Sequence, residues 1–345
     1  MTLHLLKKTF DPVFIEPNQL CNVTFAGPIT EVVTALPERK KKVKILSAKE
    51  VEEFSLDPDK KYYMNIGDGE INECKVLESR KDDFNGVRES IRRLRDYINT
   101  NVVNAKRCRW ITLTYRQREN EDSEAVPMTD PKRLYLDFKH FIQRLRSHYW
   151  NRRIEYIAVA EPQRSGAWHM HVILIFSKTA PFIPNTELRE KYWRKGFVDI
   201  QKIDENCDNL GAYFSAYLAN IEYKEGDPLD PDDEIIDSLD GKGRGKKYVK
   251  GGRLKFYPPK FNLYRISKGI KPPIIEQMPY KKLDKTNLGA LTATREVILY
   301  DEETGATVQY KYEYYNRNRE PDVQDRYLEN LRERLREFQK GKKTA

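Results

Sequence analysis

The spacing of apolar residues changes repeatedly along the middle of the chain. Apolar residues recur every three to four positions between residues 87 and 98, which predicts a helix over 89–100. The same spacing returns after Pro131 and continues to Tyr149, and Thr129 and Asp130 provide a polar helix start. Runs of β-branched and aromatic residues predict strands over 110–115, 154–160, 168–176 and 197–203.

Two further helices are predicted over 187–193 and 209–223. The strands over 154–160 and 168–176 are close enough in sequence to form an antiparallel hairpin. The order strand, helix, strand, strand, strand, helix predicts an α+β fold, in which a central antiparallel β-sheet carries its flanking helices on one side.

The chain divides by composition into a central domain over 86–225 and regions on both sides of it. Residues 1–85 form an N-terminal extension, with a hairpin predicted around Gly67-Asp68-Gly69 and no motif that indicates a function. Residues 256–345 contain a predicted hairpin and then a helix over 325–339, whose apolar stripe suits docking or a homodimer.

Residues 226–255 separate the central domain from the C-terminal region and change sign of charge. Eight acidic and no basic residues lie over 225–240, and seven basic and no acidic residues follow over 242–255, interrupted by four glycines. This composition predicts a mobile acidic then basic loop, which serves either as a linker or as a nucleic-acid clamp.

The overall charge and composition narrow the class of protein. Lys and Arg number 62 against 53 Asp and Glu, a net charge of +9 that attracts polyanions. No apolar run is long enough to cross a membrane, and the apolar stretch at the start is too short for a signal sequence, so we expect a cytoplasmic protein without membrane contact. The four cysteines lack CxxC spacing, which argues against a zinc knuckle and for buried thiols.

Candidate chemistry begins with two histidines in one predicted strand. His169 and His171 alternate with apolar residues, so both imidazoles lie on the same face of the sheet. If the hairpin turns about Ser165, Glu161 lies directly opposite His169. Two imidazoles and a carboxylate suit Mn²⁺, Mg²⁺, Zn²⁺ or Fe²⁺, and a non-haem iron oxygenase shares this donor set; the alternative is a pair of core histidines with ordinary hydrogen bonds.

A tyrosine pair supplies a second feature. Tyr213 and Tyr217 are four residues apart and share a face of the predicted helix. Such a pair can be two core aromatic residues, but a tyrosine hydroxyl can also attack a phosphodiester and form a covalent protein–DNA ester. Arg92 and Arg93 lie on the basic flank of the helix over 89–100, where they either contact phosphates or face solvent.

These residues together resemble the HUH endonucleases, and within them the rolling-circle replication initiators (Rep proteins) of plasmids and phages. The resemblance extends over about 88–224 and rests on the strand Ile111-Thr112-Leu113-Thr114, the Glu161 to His171 block with Gly166 in its turn, and the tyrosine segment. It implies an HUH, RRM-like nicking domain over 86–225, with Glu161, His169 and His171 as ligands of a divalent metal, Mn²⁺ or Mg²⁺.

The family has two tyrosine patterns, and this sequence matches one of them. Where a single tyrosine is the nucleophile, a lysine often follows three residues later, but Ala216 and Asn220 occupy those positions here, and Lys224 is the nearest substitute. The two-tyrosine pattern fits, which implies Tyr213 as the first nucleophile and Tyr217 as the second.

The resemblance implies a sequence-specific, metal-dependent single-strand DNA endonuclease and ligase. Nicking would leave a 5′-phosphotyrosine and a free 3′-hydroxyl for a host polymerase, and a host helicase would be needed because the sequence has no Walker-type loop. The alternatives are an inactive origin-binding or copy-control protein and a conjugative relaxase. Single-stranded DNA and double-stranded origin DNA are the expected partners, bound in part by Arg92, Arg93, Lys246, Lys247 and Lys250.

Overall fold

The computed structural model describes residues 3–5, 15–36, 43–74, 79–118, 124, 126–203, 209–211, 218–227, 229, 231, 234–239, 245–301 and 307–319. The helix predicted over 325–339 and residues 212–217 of the helix predicted over 209–223 lie outside these ranges.

The secondary structure is mainly β-strand. In chain order the strands are β1 (Leu3–Leu5), β2 (Leu20–Ala26), β3 (Ile29–Leu36), β4 (Val43–Ile45), β5 (Tyr62–Asn65), β6 (Ile71–Glu73), β7 (Cys108–Thr114), β8 (Ile154–Pro162), β9 (Trp168–Phe176), β10 (Val198–Lys202), β11 (Ile221–Tyr223), β12 (Ile235–Leu239), β13 (Gly245–Val249), β14 (Tyr264–Ile266), β15 (Ile274–Pro279), β16 (Ala290–Asp301) and β17 (Thr307–Asn316). The helices are α1 (Ala48–Glu53), α2 (Phe84–Asn101), α3 (Pro131–His148) and α4 (Asn185–Glu187), and α4 continues as a π-helix over Leu188–Trp193. Single 3-10 turns occur at Arg80–Asp82, Ala105–Arg107, Leu254–Phe256, Tyr280–Lys282 and Lys285–Asn287. None of the described helices has the length and apolar content needed to cross a bilayer.

The chain forms two units. The first comprises Met1–Thr24, Thr30–Leu77 and Ile275–Ala345, and the second comprises Phe25–Ile29 and Glu78–Ile274. The first unit contains a six-stranded sheet in the order β1-β16-β17-β3-β2-β15 and a small sheet β4-β5-β6. The N- and C-terminal regions, which the sequence separates, therefore share one sheet. The two hairpins expected there, β5–β6 and β16–β17, are confirmed.

The second unit contains the predicted central sheet. Its strand order is β10-β7-β9-β8-β14, and every pair is antiparallel. The four strands predicted from the β-branched and aromatic runs correspond to β7, β8, β9 and β10. β14 adds a fifth strand that the sequence analysis did not anticipate, since it is only three residues long.

The two long helices start at polar caps. The side chain of Asp83 accepts a hydrogen bond from Gly86 N at the start of α2, and Asp130 accepts one from Lys132 N at the start of α3, with Pro131 at the first helical position. Along α2, Leu94 and Ile98 are fully buried at helical spacing. Both predicted helices are confirmed.

The helices lie on both faces of the central sheet, so the expectation of helices on one side is wrong. The α3 residues Phe138, Phe141 and Leu145 pack with Leu113 and Val172, whereas Leu94 and Ile98 of α2 pack with the opposite side of β8 and β9. The physical reason lies in consecutive strand residues: Val172, Ile173 and Leu174 are all fully buried, so both faces of β9 need a cover.

The acidic and basic blocks form strands rather than the predicted mobile loop. β12 and β13 pair so that Asp237 lies opposite Lys247, and β11 joins the other side of β13. Opposite charges across the two strands favour this pairing over a solvated loop. The helix predicted over 209–223 is also wrong at its end, because residues 221–223 form β11.

Two of the three described cysteines, Cys21 and Cys108, are buried free thiols, as predicted, whereas Cys74 is only partly buried.

Candidate active site

The register of the β8–β9 hairpin places the candidate ligands as the sequence predicts. Glu161 pairs with His169 across the two strands. The turn between them closes through Gly166 N donating to Gln163 O at 2.9 Å, and Gly166 has a φ of +79°, a backbone conformation that favours glycine. The hairpin symmetry about Ser165 is therefore confirmed.

His171 is held from two sides. Its Nε2 contacts Glu161 Oε2, and its Nδ1 lies 3.2 Å from the hydroxyl of Thr112, which pairs with His171 across β7 and β9. An imidazole whose two nitrogens both have fixed partners keeps one ring orientation. The threonine strand thus has a positional function that the sequence did not reveal.

His169 differs from His171 because one of its nitrogens is buried without a partner. Nδ1 lies 3.4 Å from Gln163 Nε2, whereas Nε2 has no hydrogen-bond partner among the described residues. Burial lowers the pKa of His169 to about 4, against the opposing effect of the Glu161 carboxylate. The ring is therefore neutral at neutral pH, and a neutral imidazole offers a lone pair to a cation.

Arg253 completes the group and was not singled out by the sequence analysis. Its Nη1 lies 2.5 Å from Glu161 Oε1 and donates to Pro162 O at 2.7 Å, and its Nε donates to Asn220 O at 3.2 Å. The signal in the sequence is an arginine directly after Gly251-Gly252, where a turn can bury a planar, multiply bonding side chain.

The Glu161 carboxylate stays ionised in this environment. Burial acts to raise its pKa, but the hydrogen bond with His171 and the charge of Arg253 outweigh burial, so the pKa lies below its usual range. With Oε2 on His171 and Oε1 on Arg253, both carboxylate oxygens are occupied by protein groups.

The three predicted ligands are adjacent, but they do not form a ready ligand cage. Within the described part of the chain, no group of three or more His, Cys, Asp or Glu side chains is arranged to hold a metal ion. The contacts of Glu161 explain this, because its oxygens face His171 and Arg253. The donor chemistry nevertheless fits a divalent cation, since two imidazoles and a carboxylate lie together and His169 Nε2 is buried without a partner in the described residues.

Tyr213 and Tyr217 lie outside the described residues, but both flanks of their segment are described. Leu210 and Leu218 are buried in the same cluster as Val159 and Ile173, on the sheet face that carries the histidines. The start of the segment is fastened to α2, where Gly211 N donates to the side chain of Asn99 at 3.0 Å. The tyrosine segment therefore begins and ends on the histidine face.

The predicted DNA-binding side chains are not gathered at this site. Arg92 and Arg93 both donate to Glu89 on their own helix, at 2.9–3.0 Å. Lys246 pairs with Glu222 and Lys250 with Glu234 in the three-stranded sheet, as Lys247 lies opposite Asp237.

A cleft of about 760 Å³ adjoins the histidines through hydrogen bonds. Gln117 lines the cleft and donates to Gln163 Oε1 at 3.3 Å, and Gln163 in turn contacts His169. Four cationic side chains line it: Arg116, Arg118, Arg133 and Lys195. Such a lining suits an anionic ligand next to the histidines.

Comparison with known proteins links this part of the chain to DNA replication. Residues 108–222 match a family of replication-associated proteins, the ORF2 and gene 2 protein family. The matched segment runs from the start of β7 into β11 and contains Glu161, both histidines and both tyrosines. No curated protein and no solved structure matches the chain. The predicted likeness to rolling-circle replication initiators is thus confirmed for about one third of the chain.

Proposed function

We propose that this protein initiates rolling-circle replication by nicking one DNA strand at an origin, with a tyrosine as nucleophile. The observation that carries the proposal is the group of Glu161, His169 and His171 on the sheet face where the tyrosine segment begins and ends. The family match over the same residues supports DNA as the substrate.

A divalent metal ion, Mn²⁺ or Mg²⁺, would be held by His169 Nε2 and by the two atoms that contact each other here, His171 Nε2 and Glu161 Oε2. When bound, it would draw negative charge from the scissile phosphate. Arg253 keeps Glu161 ionised, and Thr112 fixes the ring of His171 through its other nitrogen. The protein's own contribution is thus to hold two neutral imidazoles and one carboxylate in a fixed orientation.

In the nicking step a tyrosine oxygen forms a bond to the phosphorus while the bond from phosphorus to the 3′ oxygen breaks. The phenol loses its proton and the leaving 3′ oxygen gains one, which gives a 5′-phosphotyrosine and a free 3′-hydroxyl. Tyr213 is proposed for the first attack and Tyr217 for the second transfer, which rejoins the strand. The phosphodiester energy is kept in the protein–DNA ester, so joining needs no nucleotide cofactor.

The test is the detection of the covalent adduct. Single-stranded oligonucleotides that tile the DNA flanking the gene are incubated with the protein and Mn²⁺, and denaturing electrophoresis then separates adducts from free protein. We expect Tyr213→Phe to remove the adduct and Tyr217→Phe to retain it but lose strand joining. Tyr223→Phe, in β11, is the matched control and should behave as the unaltered protein.

Phe keeps the aromatic ring and removes only the hydroxyl, so a loss of adduct reports on chemistry and not on folding. Peptide mapping identifies the linked residue. An adduct on Tyr217 would reverse the assignment, and an adduct in the double variant would exclude this segment from the reaction. Specific origin binding without any adduct would favour the inactive copy-control protein, for which the absence of a lysine three residues after Tyr213 is the supporting observation.

A further inference from the structure

A second basic surface lies at the other end of the central sheet. Trp150 follows α3 and is 83% exposed, beside a groove of about 680 Å³ between the start of β8 and the end of β14. We define the Trp150 groove by Trp150, Arg146, Arg152, Arg153, Glu155 and Lys268.

The cations of the Trp150 groove are in excess over its acid. Four cationic side chains face one carboxylate, that of Glu155, and this carboxylate is already held by Ser267 Oγ at 2.6 Å, Gly269 N at 3.2 Å and Arg153 at 2.5 Å. Arg152 donates to a backbone carbonyl, that of Thr179, and Lys268 has no ion-pair partner among the described residues. The groove therefore keeps a positive charge that the described part of the fold does not neutralise.

The exposed indole contributes little to the core, since most of its surface contacts solvent. A large exposed aromatic side chain beside unneutralised cations is the combination that binds single-stranded nucleic acid: a base stacks on the ring while the cations contact phosphates. A duplex does not offer an unpaired base face for this stacking, so the exposed Trp150 favours the single strand.

We propose that the Trp150 groove binds single-stranded DNA, as a second contact away from the histidines. Ile154 and Glu161 lie at opposite ends of β8, so the groove and the candidate active site are about 23 Å apart at 3.3 Å per residue. A strand of several nucleotides can span this distance. The inference rests on the proposed function only for the identity of the polynucleotide as DNA.

The experiment measures binding of a fluorescent oligodeoxythymidine by the full chain without divalent metal, so that the result is independent of nicking. We expect Trp150→Ala to weaken binding about 5- to 100-fold, the range of one lost base–aromatic stack. Trp150→Phe should retain most of the affinity. Leu136→Ala on the preceding helix removes an exposed side chain without a π face and should leave binding unchanged.

The charges are tested with Arg152→Gln/Lys268→Gln against Lys49→Gln/Lys61→Gln, which removes the same net charge from exposed positions in the other unit. The first pair should flatten the log–log salt dependence by roughly 1.4 units, at about 0.7 per phosphate contact of a single strand. Unchanged affinity in Trp150→Ala, equal losses in both charge pairs, or preferential binding of a duplex or of anionic vesicles would overturn the proposal. Thermal unfolding of each variant verifies that the fold is intact.

Discussion

The two ends of the five-stranded sheet hold their charges differently. At the histidine end, Glu161 and Arg253 are buried and bonded to each other, and His171 is fixed between Glu161 and a threonine. At the other end, Arg153 and Lys268 are exposed around a single carboxylate. Buried paired charges fix geometry, whereas exposed excess charge attracts a flexible polyanion.

The comparison indicates a division of work along one sheet. A reaction at a phosphate needs donors that are held in place before the substrate arrives, and the hydrogen bonds around Glu161 provide this. Retention of a DNA strand needs charge and a stacking surface but little fixed geometry, and Trp150 with its neighbours provides that. Substitutions at the histidine end should therefore change the reaction rate, and substitutions at the other end should change binding.

The largest effect is expected at the histidines. His169→Ala or His171→Ala should reduce nicking by more than the roughly 10- to 100-fold loss that follows removal of an outer partner of a metal ligand, while oligonucleotide binding persists. Nicking rates and binding are measured on the same preparations, with and without a chelator. Equal nicking by either variant in the presence of chelator would remove the metal from the proposal.

A large effect on both stability and rate is expected at Arg253. Arg253→Met leaves Glu161 buried without its cation and should lower the free energy of unfolding by about 3 kcal/mol. Arg253→Lys restores the charge and should recover part of the nicking rate, though a lysine cannot contact Glu161, Pro162 and Asn220 together. Urea unfolding and nicking rates are the measurements.

The control for Arg253 is the double variant Glu161→Gln/Arg253→Met, which removes the unpaired charge. It should recover stability relative to Arg253→Met but not nicking. If Arg253→Met nicks normally, the histidine end does not depend on its buried ion pair, and the contrast between the two ends fails.

A smaller effect is expected at Thr112. Thr112→Val removes the hydroxyl beside His171 Nδ1 and should slow nicking about 10-fold, because the imidazole loses one of its two fixed partners. Thr114→Val, which alters the neighbouring threonine on the same strand face, is the matched control and should have a much smaller effect. Similar rates in the two variants would mean that the orientation of His171 is set by Glu161 alone.

The smallest effect is expected at the paired lysines of β13. Replacing Lys246, Lys247 and Lys250 by Ala should flatten the salt dependence of DNA binding by less than the roughly 2 to 3 units of three full phosphate contacts. Lys246 and Lys250 already pair with Glu222 and Glu234, so their charge is partly neutralised. A full-sized change would restore this strand as a DNA clamp and weaken the distinction between paired and excess charge.

Local patterns predicted the elements that carry the candidate site. The strand with alternating histidines, the long amphipathic helices and the pairing of Glu161 with His169 all follow from spacing over a few residues. The errors occurred where a partner distant in sequence decided the conformation. Residues 245–249 are a strand because the acidic β12 pairs with them, and 221–223 are a strand because β13 is available on that side.

The sequence by itself determined the chemistry that is present: two imidazoles on one strand face, a carboxylate opposite them, and two tyrosines in a following segment. Hairpin register and strand alternation are local, so they can be derived from residue numbers. Only the tertiary structure brought Arg253 to Glu161 from 92 positions away and left Trp150 and Lys268 together beside one groove. Such contacts depend on how separate elements pack, and no local spacing encodes that packing.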